Sequence, residues 1–586
     1  MAIDINWFLM TDIKKRSLIK ASWTPLCAYD EHTINGEPGH IGYEREYFGS
    51  VGLIFPIDQA REAFLLQWDE VIPKWGHKPC VENGKYFPAD VYSFCNGLLG
   101  TYPVLQQSFD SGEPCVWHLS QDIILGLGLL RERDGWVRPQ EDYLEVARLK
   151  RIQEGKPVRF EIRTEHLRDF LCARESGILI VTYHLREIIV DSAPDFGWKN
   201  GIANETGENY HWNGHIHPIH EGGFPFGEKI AVFHMGRTNI DPNDDIPTFG
   251  MPGEDEYKSS SWVRTPTGRQ LFSITGEMWR TEWIPPLETS PRVRGDKEES
   301  HISFQIDSAG TTLAGKKLYD HRGWIWFKPS IIRTLLEKRN GVLEWYTDET
   351  GCVGPAPNMG VHFGVNELGL INVLAKDIAS LPTIYQRVWV AHNIPPDGRV
   401  SKELLKSQME AEPADTKAPE VILKKAIEHL QKASTYFLGR PMLKEHHIST
   451  KIDREIHRFH GQSMEGLFFL CKELTRLIVE RIDVDLLKEL DPAADKKLGS
   501  IKRLEYFLNS KGFEGRKIMA ALAGVYDLRI GDSHLPSTEI TESLKLLGIG
   551  DTGDYQKMAK QIILSVAYSI GTIGDIIIKS SKDNRA

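Results

Sequence analysis

The pattern of hydrophobic and polar positions changes near residue 400. Before that point, short β-branched or alternating runs stand between Gly, Pro and polar residues, which is typical of strands. The clearest of these runs are 51–55, 178–183, 229–234 and 302–306. A few helices are predicted among them, at 57–72, 141–153 and 329–339. The first part of the chain is therefore predicted to be mixed and strand-rich.

The second part has helical periodicity instead. A Pro/Ala/charge segment at 411–419 has the composition of a linker, and 401–410 could form a short helix before it. Apolar stripes at helical spacing follow, and Gly439 and Gly512 end two of them. Such stripes predict helices packed side by side. The fold class is thus α+β multidomain: a strand-rich region at 1–285, a second mixed region at 286–400, a linker at 401–418 and a helical bundle at 419–582.

Composition restricts the environment and the class of protein. The 586 residues carry a formal charge of −11, which argues against a general nucleic-acid coat. None of the seven cysteines forms a Cys-x2-Cys pair, so no zinc knuckle or disulfide framework is indicated, and a reducing cytoplasm is expected. The start has too short an apolar run for a signal peptide. No stretch approaches the roughly 20 apolar residues of a membrane span, and 562–578 is predicted to be a buried bundle helix.

The most informative segment is 527–536, Asp-Leu-Arg-Ile-Gly-Asp-Ser-His-Leu-Pro. On a continuous helix Arg529 and His534 would point roughly 140° apart. Gly531 favours a helix end, however, and Pro536 prevents immediate continuation. We therefore expect Arg529 in the last turn of a helix and His534 in the turn that follows. Arginine can stabilise charge on a phosphate, and histidine can move a proton near neutral pH. Arg387 and His392 have the same spacing, but in a run that is predicted to be a strand.

The region from about 419 to 582 resembles a HEPN domain, a helical module that binds nucleotides or cleaves RNA in toxins and phage-defence proteins. That family carries an arginine and a histidine four to six residues apart late in the bundle, where Arg529 and His534 fall. It often has a polar residue directly after the arginine. This chain has Ile530 there, and Asp532 or Ser533 would supply the auxiliary contact instead.

The resemblance implies a metal-independent endoribonuclease that has no cofactor and attacks RNA through its 2′-hydroxyl. It also implies a homodimer, because similar domains pair two motifs across an interface. An anti-phage or toxin role follows by analogy, with the first 400 residues sensing a phage-derived or small-molecule trigger. Further basic residues of the bundle are candidates for contacting RNA: Lys451, Arg454 and Arg458.

Two other readings are open. The helices could be a non-catalytic dimerisation scaffold, with Arg529 and His534 capping a helix end and the strand-rich half binding a ligand or a protein. Alternatively, four histidines at 211, 215, 217 and 220 could carry small-molecule chemistry. His215 and His217 would project from one face of a strand, at a spacing used by metal ligands. No closely spaced carboxylate pair or cysteine accompanies them, so no metal is expected.

Overall fold

The computed structural model divides the chain into two compact units. Unit 1 comprises Met1–Pro139 and Tyr143–Glu298, and unit 2 comprises Gln140–Asp142 and Glu299–Ala586. The described residues are 4–72, 80–82, 84–88, 90–94, 98–107, 116–153, 155–237, 257–296, 300–445, 455–491, 497–529, 537–550 and 553–583. The predicted fold class is confirmed at this level, because strands dominate the first part of the chain and helices the last.

Unit 1 is built from nineteen described strands and six described helices. The strands are β1 (Trp23–Asn35), β2 (Glu44–Pro56), β3 (Cys80–Glu82), β4 (Lys85–Phe87), β5 (Val91–Phe94), β6 (Leu98–Thr101), β7 (Val104–Gln107), β8 (Val116–Leu119), β9 (Leu130–Glu132), β10 (Gly135–Arg138), β11 (Leu144–Arg151), β12 (Pro157–Arg163), β13 (Ser176–Val190), β14 (Ile202–Thr206), β15 (Tyr210–His220), β16 (Phe224–Pro225), β17 (Ile230–Arg237), β18 (Tyr257–Arg264) and β19 (Gln270–Ile284). The helices are α1 (Ile5–Phe8), α2 (Thr11–Lys14), α3 (Ala60–Ala63), α4 (Trp68–Val71), α5 (Gln121–Leu127) and α6 (Thr164–Ala173).

A large antiparallel sheet organises unit 1. Its strands follow the order β14-β15-β19-β13-β2-β1-β12-β11-β10-β9, with β5, β6 and β16 attached at the side. Both faces of its central strands are covered. Ile178 and Ile180 of β13 belong to a core with α5 and α6, whereas Leu179 and Val181 belong to a core with α3, α4, β5 and β6. Burial on both faces explains why 178–181 is a continuous apolar run rather than an alternating one.

Several local predictions can be scored in this unit. The strands expected at 51–55 and 178–183 are confirmed within β2 and β13. The helix expected at 57–72 is broken into a 3-10 turn (Ile57–Gln59) and the short helices α3 and α4. The helix expected at 141–153 is wrong, because this segment forms β11. Its charged positions favour a helix by propensity, but they pair across strands instead, as Arg148 does with Glu161 at 2.8 Å.

Unit 2 combines a smaller sheet with a helical bundle. Its strands are β20 (Phe304–Gln305), β21 (Thr312–Leu313), β22 (Trp324–Phe327), β23 (Val342–Trp345), β24 (Thr350–Gly354), β25 (Val361–Val365), β26 (Ile371–Leu374) and β27 (Asn393–Ile394). Its helices are α7 (Gly315–Asp320), α8 (Ser330–Leu336), α9 (Ala375–Ala379), α10 (Thr383–Val390), α11 (Lys402–Leu405), α12 (Pro419–Leu438), α13 (Met464–Leu477), α14 (Val484–Leu490), α15 (Ser500–Ser510), α16 (Gly515–Ile518), α17 (Ala520–Leu528), α18 (Ser537–Leu546) and α19 (Tyr555–Asp583).

The six-stranded sheet of unit 2 has the order β23-β24-β25-β26-β22-β27. The helix expected at 329–339 is confirmed as α8, and its buried Ile331, Ile332 and Leu335 pack on this sheet. The run that contains Arg387 was expected to be a strand, but it forms α10. The segment predicted as a linker is tied to the sheet at its start, because Leu404 of α11 is buried and the Ser401 hydroxyl donates to the Glu349 carboxylate at 2.8 Å.

The bundle is organised around α12 and α19, which pack side by side and run in the same direction. Gly574 of α19 allows this close approach, since a Cβ added there would lie 2.7 Å from the His429 ring. By length and composition, Tyr555–Ser580 could also cross a membrane, but more than half of its most apolar window is buried inside the protein. Its exposed positions are mostly polar, namely Lys557, Gln561, Tyr568, Thr572, Asp575 and Lys579. The prediction of a buried bundle helix at 562–578 is therefore confirmed.

Candidate active site at a helix end

The helix that leads into the motif is firmly seated. Ala521, Leu522, Val525 and Leu528 of α17 are all buried in the bundle core. Gly524 faces α18 so closely that a Cβ there would lie 2.9 Å from the Ser543 carbonyl oxygen. The end of α17 is consequently held in a defined position.

Arg529 directly follows the last residue of α17. Its backbone is still helical, with φ −57° and ψ −23°, and its N–H donates to the Val525 carbonyl at 3.1 Å. The prediction that Arg529 lies at a helix end is confirmed. The next described helix, α18, begins at Ser537.

The Arg529 guanidinium has two neighbours that the sequence motif did not include. It lies over the Tyr526 ring, 3.6 Å from the ring centroid, and its Nη1 is 4.0 Å from the Glu480 carboxylate. The Arg529 side chain is 27% exposed and the Glu480 side chain 56% exposed. A contact this long between exposed groups contributes at most about 1 kcal/mol, so an incoming anion could displace Glu480. Stacking on Tyr526 would meanwhile keep the guanidinium in place.

A carboxyl group lies close to the same arginine. Burial raises the pKa of Asp527, the positive charge of Arg529 lowers it, and the negative charge of Glu539 raises it. The net direction is upward, so this carboxyl holds its proton to higher pH than an ordinary aspartate. A group of this kind is a candidate proton donor or acceptor beside a phosphate. Sequence reasoning overlooked Asp527 in this role, although its position two residues before the arginine was visible.

The remaining motif residues fall outside the described part of the chain. These are His534, with the auxiliary Asp532 and Ser533. Two of the basic residues expected to contact RNA, Lys451 and Arg454, also lie outside it. The structure therefore brings Arg529 together with Tyr526, Asp527 and Glu480.

The third basic candidate, Arg458, needs a correction. It is only 5% exposed, and its guanidinium binds the Glu420 carboxylate at 2.7 Å and Asp348 at 3.2 Å. It also stacks over the Trp345 ring at 4.2 Å. Its donors are thus committed within the protein, because it joins α12 to the six-stranded sheet. A structural role replaces the expected contact with RNA.

The histidines of β15 do not assemble a metal centre in the described residues. His215 and His217 do lie on one face of the strand, with their rings stacked 5.2 Å apart. His211 is bonded to Thr206, and His220 makes hydrogen bonds to Gly268 and Gly227. Within the described ranges, no group of three or more His, Cys, Asp or Glu side chains could hold a metal ion.

A groove on the bundle lies away from the motif. It has a volume of about 880 Å³ and is lined by residues of α12 and the end of α19, including His429, Tyr436 and Ile578. Arg529 does not line this groove.

No protein-family model, curated protein or solved structure matches this chain.

Proposed function

We propose that the protein is a metal-independent endoribonuclease of the HEPN type, acting through Arg529 and His534. The observation that carries the proposal is a partly exposed arginine, loosely paired with Glu480, at the point where α17 ends. A free guanidinium fork at a helix end suits a phosphoryl group. His534 follows five residues later in the sequence.

In the proposed reaction, the 2′-oxygen of ribose attacks the adjacent phosphorus. The new 2′-O–P bond forms as the P–O5′ bond breaks, which leaves a 2′,3′-cyclic phosphate on one product and a 5′-hydroxyl on the other. His534 accepts the 2′-hydroxyl proton or donates a proton to the leaving oxygen, and Arg529 stabilises the charge on the phosphate. DNA lacks the attacking hydroxyl and is not cleaved.

Two proton transfers are needed, and one histidine supplies one of them. The second would come from the same motif of another copy, which makes a homodimer through the bundle part of the proposal. Asp527 is an alternative source, because burial raises the pKa of this carboxyl, which lies near Arg529. Asp532 and Ser533 are proposed as auxiliary contacts. Under this proposal the protein acts in the cytoplasm as an anti-phage or toxin effector, and its strand-rich half restrains it until a trigger binds.

The test is cleavage of end-labelled RNA by the full chain in EDTA, with the products analysed for a cyclic phosphate. His534→Ala and Arg529→Ala should each lower the cleavage rate by roughly 10²–10⁴. Arg516→Ala and His217→Ala are matched controls, because both side chains are exposed and lie outside the motif. Both controls should cleave at the wild-type rate. Cleavage that survives in His534→Ala would refute the proposed role of this residue.

The alternative is a non-catalytic dimerisation scaffold. It is favoured by the internal contacts of Arg529 with Tyr526 and Glu480, which give the arginine a structural function. In that case the purified protein would be a dimer that leaves RNA intact, with or without cell extract from infected bacteria. Arg529→Ala would then change stability or dimerisation and nothing else.

A further inference from the structure

One face of the large sheet in unit 1 carries a continuous row of aromatic rings. The row crosses five neighbouring strands, β1, β2, β13, β19 and β15. Its members are His32, Tyr47, Tyr183, Trp279 and His211. Direct cross-strand pairing puts Tyr183 opposite Trp279, and Trp279 opposite His211, so these side chains share one face. Five strands at a spacing of about 4.8 Å make the row roughly 19 Å long.

Each ring contacts the next. Centroid distances along the row are 4.8 Å from His32 to Tyr47, 5.5 Å from Tyr47 to Tyr183, 5.2 Å from Tyr183 to Trp279 and 6.0 Å from Trp279 to His211. The spacings leave no room for a ligand between the rings. A ligand would have to lie on top of the row, against the exposed faces of the rings.

The row lies where the sheet passes from covered to open. On the same face, Gly49 of β2 is overlaid by Trp68 of α4, whose ring is 6.0 Å from Tyr183. Beyond this point Tyr47, Tyr183 and Trp279 are only half-buried, and His211 is exposed. The rings therefore form a partly exposed platform beside α4, and they are not part of the interior core.

Hydrogen-bonding groups flank the aromatic row. Glu277 accepts a hydrogen bond from the Tyr183 hydroxyl at 2.5 Å, and cross-strand pairing puts Asn213 opposite it on β15. On the same face, the Glu187 carboxylate accepts a hydrogen bond from the Ser273 hydroxyl at 3.0 Å. Carboxylates and amides beside aromatic faces can orient a ligand by several hydrogen bonds at once.

The charge of this face selects among flat ligands. Two carboxylates, Glu277 and Glu187, stand against one guanidinium, Arg45, whose Nε already donates to His32 at 3.2 Å. A chain of phosphates laid along the row would meet uncompensated negative charge, which disfavours nucleic acid. An uncharged ring with hydroxyl groups meets no such penalty. Its C–H face can pack on the aromatic rings while its hydroxyls reach the flanking polar groups.

We propose that the aromatic row of unit 1 binds an uncharged oligosaccharide. Its sugar rings stack along Tyr47, Tyr183 and Trp279, and its hydroxyls bond to Glu277, Asn213 and Glu187. This site is separate from the candidate ribonuclease motif. It does not depend on RNA cleavage.

The experiment is isothermal titration of the full chain with four neutral six-ring sugars: cellohexaose, maltohexaose, hexa-N-acetylchitohexaose and mannohexaose. At least one should bind, and Trp279→Ala and Tyr47→Ala should each weaken that binding at least tenfold. Trp279→Phe should largely restore it, because a phenyl ring preserves the stacking face. Trp262→Ala is the matched control, since Trp262 is 44% exposed on β18 and lies outside the row. Its affinity should equal that of the wild type.

Three outcomes would overturn the proposal. The first is that none of the four sugars binds at millimolar concentration. The second is that binding is unchanged in Trp279→Ala while that variant keeps the wild-type far-ultraviolet circular dichroism. The third is that a six-nucleotide oligouridylate binds more tightly than any of the sugars and loses its binding in Trp279→Ala. This last result would make the occupant an RNA strand.

Discussion

Acidification should destabilise unit 2 through two buried histidines. His457 is 1% exposed and His460 is 7% exposed, and their rings stack 4.2 Å apart. Among the described residues, Nδ1 of His457 and Nε2 of His460 are buried without a hydrogen-bond partner. The pair lies between the bundle and the six-stranded sheet, next to Phe459, which stacks on Trp345. A positive charge on either ring would be buried away from water, which disfavours the protonated form.

The size of this destabilisation follows from the pKa shifts of the two histidines. Burial is the main cause in both cases, and it lowers the pKa of His457 well below 6.5. The pKa of His460 is lowered to about 4, mainly by burial, while a hydrogen bond to the Glu455 backbone acts to raise it and the charge of Arg333 acts to lower it. In the unfolded chain both groups titrate near about 6.5, so the unfolded state binds more protons below that pH. These histidines therefore do not lower the free energy of unfolding above about pH 6.5, and they lower it progressively as the pH drops towards 4.

Each histidine contributes a slope of about 1.4 kcal/mol per pH unit. Between pH 6.5 and 4, His460 alone then lowers the free energy of unfolding by about 3 kcal/mol, from a total that is typically 5–15 kcal/mol. Below pH 4 its contribution no longer changes. The carboxylates of the protein also titrate in this range, so the comparison must be between variants rather than between pH values alone.

The assay is urea unfolding at pH 7, 6, 5 and 4.5, followed by tryptophan fluorescence, because Trp345 reports on the junction. His460→Gln should lose stability less steeply with acidification than the wild type, whatever its stability at pH 7. His217→Gln, a change at an exposed histidine of unit 1, should follow the wild-type curve. If the stability difference between His460→Gln and the wild type is the same at every pH, burial of an uncharged His460 is not the cause.

Three further substitutions test the packing. Glu420→Gln should cost about 3–5 kcal/mol, measured by urea unfolding, because it leaves the buried Arg458 charge poorly compensated; a cost under 1 kcal/mol would contradict this. Phe459→Ala should cost about 3–5 kcal/mol in the same assay, since it leaves a cavity at a fully buried site. An unfolding midpoint equal to that of the wild type would refute this. Gly276→Ala should release the N-terminal helices to protease, because its Cβ would lie 2.4 Å from the Phe8 carbonyl oxygen. Unchanged cleavage would count against this contact.

Elements that carry their own local signal were predictable. The stripe from Val421 to Phe437 became α12, and Gly439 and Gly512 adopt the positive φ values of 84° and 82° that end helices. β11 was missed because its local propensity favours a helix and its structure comes from pairing with β10 and β12. The aromatic row could not be predicted either. Its residues come from five strands far apart in sequence, and periodicity does not identify which strands pair.

In the candidate site, too, features with a local sequence signal were predictable and contacts made by tertiary packing were not. The helix end at Arg529 could be predicted, because Gly531 and Pro536 mark it locally. Tyr526 lies three residues before Arg529, which is a spacing at which side chains on a helix meet, so this contact had a signal that was overlooked. Glu480 follows α13 and approaches only through tertiary packing. The sequence between them holds no cue for that contact.

The way in which α17 is held limits how its arginine could be regulated. Ser569 of α19 donates to the Ile518 carbonyl at 2.6 Å, just before α17, and Thr475 of α13 donates to the Val525 carbonyl at 3.3 Å. At its other end α19 is tied to the sheet, where Lys560 pairs with Asp348. A close-packed interior of this kind transmits displacements rather than absorbing them. The segment 401–418 is also fixed to this sheet, because Leu404 is buried and the Ser401 hydroxyl donates to the Glu349 carboxylate. Restraint of the proposed ribonuclease must therefore act on unit 2 as one body, or by covering the surface around Arg529.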